Sequence, residues 1–272
     1  MTNDIMRNKN MQYNNIKRIN NIGRIKKIRR IKQLFQNQKK NIQNKYTAII
    51  VEPRKHAALS FVVEKFLKNL SNEWNIIIFH GNLNVNFVNN IISNKLNNYK
   101  NRISTINLNI NNLTRDEYSL LFKQKFFYDG IPTETFLVFQ TDSLILENNK
   151  LLINHFLKYD YVGAPWGNSP KGINNYVGNG GLSLRKKSKM IEIIEKDIDK
   201  NNLPEDVYFA CTDKVKLFKP SQQEAKLFSV ENLYSEITFG VHQPWIIKKS
   251  NPNFYSIYPE LQILEKLQHV IN

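Results

Sequence analysis

A chain of 272 residues is long enough to bury a substantial core, and its size points to one large domain or two small ones. Its formal charge of +16 argues for an anionic partner only until the charge is located: residues 1–45 hold 13 Lys and Arg against the single acid Asp4, whereas the other 227 residues carry 26 basic and 22 acidic groups, a net of +4. A lone cysteine, Cys211, excludes an internal disulfide, and the absence of any run of 18 apolar residues, with no signal-peptide core in the first 30 residues, leads to the expectation of a cytosolic protein, in the host cytoplasm if the source is viral.

The N-terminal segment is rich in Asn, Lys and Ile, which AT-rich codons supply. Apolar residues recur at every third position from Ile16 through Ile19, Ile22, Ile25, Ile28 and Ile31 to Leu34. On an α-helix this spacing carries the stripe around the cylinder, so only short lengths are amphipathic at once. Two readings stand: a basic helix lying weakly on an anionic membrane or on nucleic acid, and a flexible or partly helical tail shaped by codon bias, which composition favours. Residues 1–45 are accordingly set apart as a tail, and residues 46–272 as the folded domain.

From Tyr46 the texture becomes that of a packed domain. Thr47–Val51 is an apolar run of strand length ending in Glu52-Pro53-Arg54, where proline stops pairing. A helical pattern covers about 57–70, a strand Trp74–His80, a weaker helix about 87–96, and a strand about 103–108. Strand and helix in alternation predict an α/β fold whose mostly parallel sheet carries helices on both faces. Thr114-Arg115-Asp116-Glu117 has capping-box spacing and predicts a further helix start.

The run Val138-Phe139-Gln140-Thr141-Asp142-Ser143 places one carboxylate just past the end of the next buried strand, about 135–140. Open α/β sheets bind ligands at such a place, although for an isolated Asp the capping of a turn is the favoured reading, and only its company shifts the balance. Downstream, Asp160 to Trp166 sets a strand against a Gly and Pro turn, with Trp166 either an apolar platform or core. Val177 to Arg185 holds three glycines in four positions, which suit a tight turn or a close approach to a ligand. Glu205 and Asp206 open a helix after Pro204; acids favour that position through the helix dipole, and one of them facing a cleft can accept a hydroxyl proton. His242, in Phe239 to Trp245, is either a packed imidazole or a metal ligand. A closing amphipathic helix is predicted over 259–271.

Taken in order, Glu52-Pro53-Arg54, Phe139 to Ser143, Tyr159 to Trp166, Val177 to Arg185, Pro204 to Phe209 and Phe239 to Trp245 resemble a family regarded as glycosyltransferases, known as a domain of unknown function and found in giant viruses and fungi. The resemblance spans about residues 46–247. More distantly the order is similar to metal-dependent GT-A glycosyltransferases, including fringe-like and β1,3-galactosyltransferase-like enzymes. It implies a GT-A-like (Rossmann-like) single domain, a nucleotide-sugar donor, a divalent cation such as manganese or magnesium, and a glycan, glycoprotein or small-molecule acceptor.

Carried onto this chain, the resemblance makes Asp142 and His242 the cation ligands and Asp206, with Glu205 beside it, the catalytic acid pair. Glu52, Arg54, Gln140, Asp142, Gly180 and Gly181 would line the donor. Gln140 departs from the pattern, since it stands where the first acid of Asp-x-Asp is expected and its neutral amide binds a hard cation less well. That departure keeps a second expectation open, a catalytically inactive sugar-binding or scaffold protein of the same fold. A nucleic-acid-associated protein using the basic tail is a third.

Overall fold

The computed structural model describes residues 23, 26–31, 44–170, 176–197 and 203–270. Its centre is a six-stranded sheet built from β1 (Tyr46–Val51), β2 (Trp74–His80), β3 (Ile103–Asn107), β4 (Thr135–Phe139), β6 (Tyr161–Gly163) and β7 (Leu182–Lys186), in the order β3-β2-β1-β4-β7-β6. The pairs β3·β2, β2·β1 and β1·β4 are parallel, while β7 runs antiparallel to both β4 and β6. Five strands therefore point one way and β7 opposes them.

The continuous apolar run of β1 follows from burial on both sides. Ala48 and Ile50 face one core with Leu59, Val62 and Phe66 of α1 (Leu59–Asn69), and Ile49 and Val51 face the other. That second core takes Leu121 and Phe122 of α3 (Arg115–Phe122), and Met190 and Ile193 of α4 (Lys187–Lys196). Strands covered on both faces lose the apolar and polar alternation of a half-exposed sheet. The phenyl rings of Phe66 and Phe139 stack at 3.9 Å between centroids, tying α1 to β4.

Local signals set the helix ends. Thr114 accepts from the Glu117 N–H at 3.2 Å while the Glu117 carboxylate accepts from the Thr114 N–H at 2.8 Å, so both orphan donors are satisfied as the capping-box spacing predicts. The predicted helix over 87–96 is α2 (Val85–Asn90) continuing as a π-turn over Ile91–Lys95. In the N-terminal region, residues 26–31 are helical, with Ile28 and Ile31 buried in the second core and the Lys27 ammonium 2.9 Å from Glu117. Three residues apart, these two isoleucines share one helix face, while Lys26, Arg29 and Arg30 stay exposed. The rest of the isoleucine stripe lies outside the described residues.

A second sheet, β5-β9-β8, was not anticipated from sequence. Its strands β5 (Ser143–Ile145), β8 (Ser229–Val230) and β9 (Gly240–His242) are two or three residues long, too short for a periodic signal. The C-terminal helix α6 (Glu260–Gln268) buries Leu261 and Leu264 and donates a hydrogen bond from Gln268 to the Thr141 carbonyl at 2.8 Å, bracing the turn that carries Asp142. No helix among the described residues is long and apolar enough to cross a membrane.

Candidate functional site

The cleft lies where the strands deliver their carboxyl ends. Parallel pairing places Glu52, Pro53 and Arg54 after β1 beside Gln140, Thr141 and Asp142 after β4. The antiparallel β7 enters the sheet at that same end, because Leu182 pairs with Phe139, so the preceding Gly180 and Gly181 lie over the Asp142 turn. Strand β9 then pairs His242 with Ser143. Four segments remote in sequence are brought together by strand pairing. They enclose a cavity of about 600 Å³, within the range of small-molecule sites.

His242 is the hub. Its Nε2 lies 3.4 Å from Asp142 Oδ1 and its Nδ1 lies 3.5 Å from Glu231 Oε1. These are charge contacts and not hydrogen bonds: both ring nitrogens, Asp142 Oδ1 and Glu231 Oε2 are buried without a hydrogen-bond partner among the described residues. Burial alone would lower the imidazole, but the Asp142 and Glu231 carboxylates outweigh it and raise His242 to about 10. Burial pushes Asp142 upward in turn, and the facing imidazole more than reverses this, leaving it below the ordinary carboxylate value.

The two glycines are required by approach distance. A Cβ on Gly181 would stand 2.1 Å from His242 Nε2, and one on Gly180 would stand 2.4 Å from Glu205 Oε1 and 2.9 Å from Asp206 Cβ. The bare backbone of 180–181 therefore separates the imidazole from the acid pair. Its Gly181 carbonyl accepts from the Ser143 hydroxyl at 2.8 Å and its Gly181 N–H donates to Asn179 Oδ1 at 3.0 Å.

The two adjacent acids lead different lives on α5 (Glu205–Ala210). Glu205 is gripped by Arg185, Nη1 to Oε2 at 2.7 Å and Nη2 to Oε1 at 3.0 Å, and both side chains are buried. The guanidinium lies against aromatic rings, 5.0 Å from the Tyr161 centroid and 5.5 Å from that of Phe122. Asp206 instead accepts N–H bonds, from Val207 at 2.8 Å and from Gly180 at 3.3 Å, and lines the cavity. Burial, followed by the Glu205 charge, raises its pKa above the ordinary value.

On the opposite wall, Glu52 binds Arg54 through Nε at 2.8 Å and Nη2 at 2.7 Å, and the Arg54 side chain remains 58% exposed. Asn84 holds this loop by donating to the carbonyls of Glu52 and Arg54, each at 2.8 Å. Gln140 lines the cavity but donates from Nε2 to the Tyr118 hydroxyl at 3.2 Å. Trp166 packs against Gly178 and is absent from the cavity wall.

All nine site residues singled out from the sequence thus lie on one cleft. Among the further wall residues, Tyr118 and Glu231 were missed as site residues. Glu231 carried one readable signal, a carboxylate closing a short apolar run as Asp142 does. With β8 only two residues long, that signal had no frame.

Elsewhere in the cleft Glu52 is paired with Arg54 and Glu205 with Arg185, and Asp206 is held by backbone N–H donors. Asp142 and Glu231 share His242 as their ion-pair partner. Two carboxylates against one imidazole leave negative charge that a hard cation would balance, and carboxylate oxygen with imidazole nitrogen suits manganese or magnesium. Among the described residues no group of three His, Cys, Asp or Glu converges on one point, so Asp142 and His242 would supply only part of a coordination shell.

No curated protein matches the chain. Among solved structures, an active-site mutant of LgtC matches with a TM-score of 0.53 at 11% identity, covering 84% of this chain and 97% of that one. The apo-form glycosyltransferase GlyE of Streptococcus pneumoniae TIGR4 matches at 0.48 and 10% identity, and S. aureus TarS 1–349 at 0.46 and 10%. These alignments take 84% and 81% of this chain, which spans 61% of GlyE and 65% of the TarS fragment. The likeness to LgtC is one of fold: the mixed sheet with helices on both faces is GT-A-like. The family described as "Protein of unknown function (DUF5672)" matches residues 102–242, which include Gln140, Asp142, Gly180, Gly181, Glu205, Asp206 and His242, while Glu52 and Arg54 precede the match. With more than half of its length matched, the chain belongs to that DUF5672 family.

Proposed function

We propose that the chain is a glycosyltransferase that moves a sugar from a nucleoside-diphosphate donor to a hydroxyl acceptor, with a divalent cation held between Asp142 and His242. The observation that carries the reading is their 3.4 Å approach in a cavity of about 600 Å³, each with a buried atom that lacks a hydrogen-bond partner among the described residues. When bound, such a cation supplies Lewis-acid stabilisation of charge on the departing diphosphate. Asp142 and His242 would hold it, and the exposed guanidinium of Arg54, oriented by Glu52, would offer hydrogen-bond donors to the phosphates or ribose of the nucleotide sugar.

Asp206 takes the acceptor's proton. A hydroxyl is a weak nucleophile until a base removes its hydrogen, and a carboxylate whose pKa is raised by burial accepts more readily than an ordinary one. Glu205, with both oxygens bound to Arg185, fixes the start of α5 and hence the place of Asp206. One base opposite the leaving group gives inversion at the anomeric carbon, and a product of retained configuration removes Asp206 from this role.

Donor hydrolysis across a panel of nucleotide sugars with manganese tests the assignment. Asp142→Ala and Asp206→Asn both abolish turnover, while only Asp142→Ala weakens metal-assisted nucleotide binding. Wild-type turnover in both variants overturns the site. Gln140, whose amide is bonded to Tyr118, favours one alternative, a sugar-binding protein without turnover. That alternative predicts stabilisation by free sugars and none by uridine diphosphate with manganese.

A further inference from the structure

Glu231 belongs to none of the motifs that suggested the site, yet the small sheet aims it at the hub. Strands β8 and β9 run parallel with Ser229 opposite Gly240 and Val230 opposite Val241, so the next rung sets Glu231 beside His242. On the other side, β5 is antiparallel to β9 with Ser143 opposite His242, which sets Asp142 at the same end. One imidazole thus lies between two carboxylates, one for each ring nitrogen. Gly181, whose absent side chain leaves room for the ring, closes its face.

We infer that Glu231 is the positioning residue for His242: its carboxylate receives the Nδ1 hydrogen, so that Nε2, beside Asp142, is the nitrogen that gives up its hydrogen to bind the cation. This rests on the glycosyltransferase reading and adds to it the residue that prepares the imidazole. Three observations carry it. The approach of Oε1 to Nδ1 is 3.5 Å, and neither ring nitrogen has a hydrogen-bond partner among the described residues. Both side chains are buried, Glu231 at 6% and His242 at 4% exposure, so water does not compete freely for Nδ1.

Finally, Glu231 makes its ion pair with an imidazole, unlike Glu52 and Glu205, which have arginines. A buried carboxylate kept without a guanidinium is costly unless its charge is used. A histidine that binds a metal through one nitrogen commonly donates from the other to a carboxylate, which fixes the tautomer and the ring plane and makes the ligand more basic. The arrangement of Glu231, His242 and Asp142 is of that form.

The test titrates Mn2+ into the full chain with uridine diphosphate by calorimetry, comparing wild type, Asp142→Ala, Glu231→Leu and Glu231→Gln. Wild type binds and Asp142→Ala does not. Glu231→Leu binds Mn2+ about 10–100-fold more weakly, and Glu231→Gln, which keeps an oxygen acceptor for Nδ1–H, recovers part of the loss. Equal Mn2+ affinity in wild type and Glu231→Leu, with Asp142→Ala still defective, overturns the role of Glu231 alone. A wild type that binds no Mn2+ overturns the cation reading with it. Should Glu231→Leu not fold, nitrogen NMR of the His242 ring in the wild-type complex with Mg2+ and uridine diphosphate decides: hydrogen on Nδ1 supports the inference, and hydrogen on Nε2 overturns it.

Discussion

Replacing Gly181 by Ala tests the packing of the imidazole with a single methyl group. Gly181 does not have a positive φ, so alanine introduces no backbone strain there, and the effect comes from the new carbon. That carbon would lie 2.1 Å from Nε2, 2.3 Å from Cδ2 and 2.4 Å from Cε1 of His242. Ordinary contact is about 3.5 Å or more, so the ring or the glycine turn must yield by roughly 1.4 Å. Overpacking of this kind costs about 1–3 kcal/mol, which in a chain of this size lowers Tm by about 2–12 °C. A misplacement on the order of 1 Å costs about 100-fold in turnover. The assay pairs a thermal melt with donor hydrolysis at saturating manganese. Gly167→Ala serves as control, because the nearest atom to its new carbon is Leu233 Cδ2 at 3.8 Å, and it should behave as wild type. Wild-type turnover in Gly181→Ala would show that the imidazole does not need its place against 181, and the account of the hub would fail.

The raised pKa of Asp206 gives a pH prediction. A base acts only when ionised, so kcat/KM falls as pH drops through the Asp206 pKa, and the midpoint of that acid limb lies above the ordinary value near 3.8. A limb at or below that value refutes the proposed environment of Asp206. For the buried ion pair, Arg185→Met leaves Glu205 unpartnered and costs about 3–5 kcal/mol in urea unfolding, whereas Arg185→Met combined with Glu205→Met recovers most of it. If the double substitution is as damaged as the single one, the stranded carboxylate is not the cause.

What the sequence disclosed, and what it withheld, follows the length of each element. β1, β2 and β4 are apolar runs of five to seven residues buried on both faces, and α3 announces itself through Thr114 and Glu117, so their order and the place of Asp142 beyond β4 were legible. The direction of β7 was not, because Leu-x-Leu after a glycine turn fits either orientation, yet that direction delivers Gly181 to His242. The division of labour between Glu205 and Asp206 was equally hidden. It is set by Arg185, a charged residue at a position that a pattern of buried strand residues assigns to an apolar one. Glu231 escaped because its strand has two residues.

The strand order also governs how the chain assembles as it is made. β1 pairs with β2 on one edge, but its other edge waits for β4, whose first residue is Thr135. At a synthesis rate of about 5–20 residues per second, that edge of Ile49 and its neighbours stays without a partner for roughly 4–17 s after Val51 has been added. An unpaired row of N–H and C=O groups flanked by isoleucines is a template for foreign strands. Ribosomal pausing between β3 and β4 would lengthen this vulnerable interval, so slow translation of that stretch should increase aggregation, while delay once β4 has emerged from the ribosome should not.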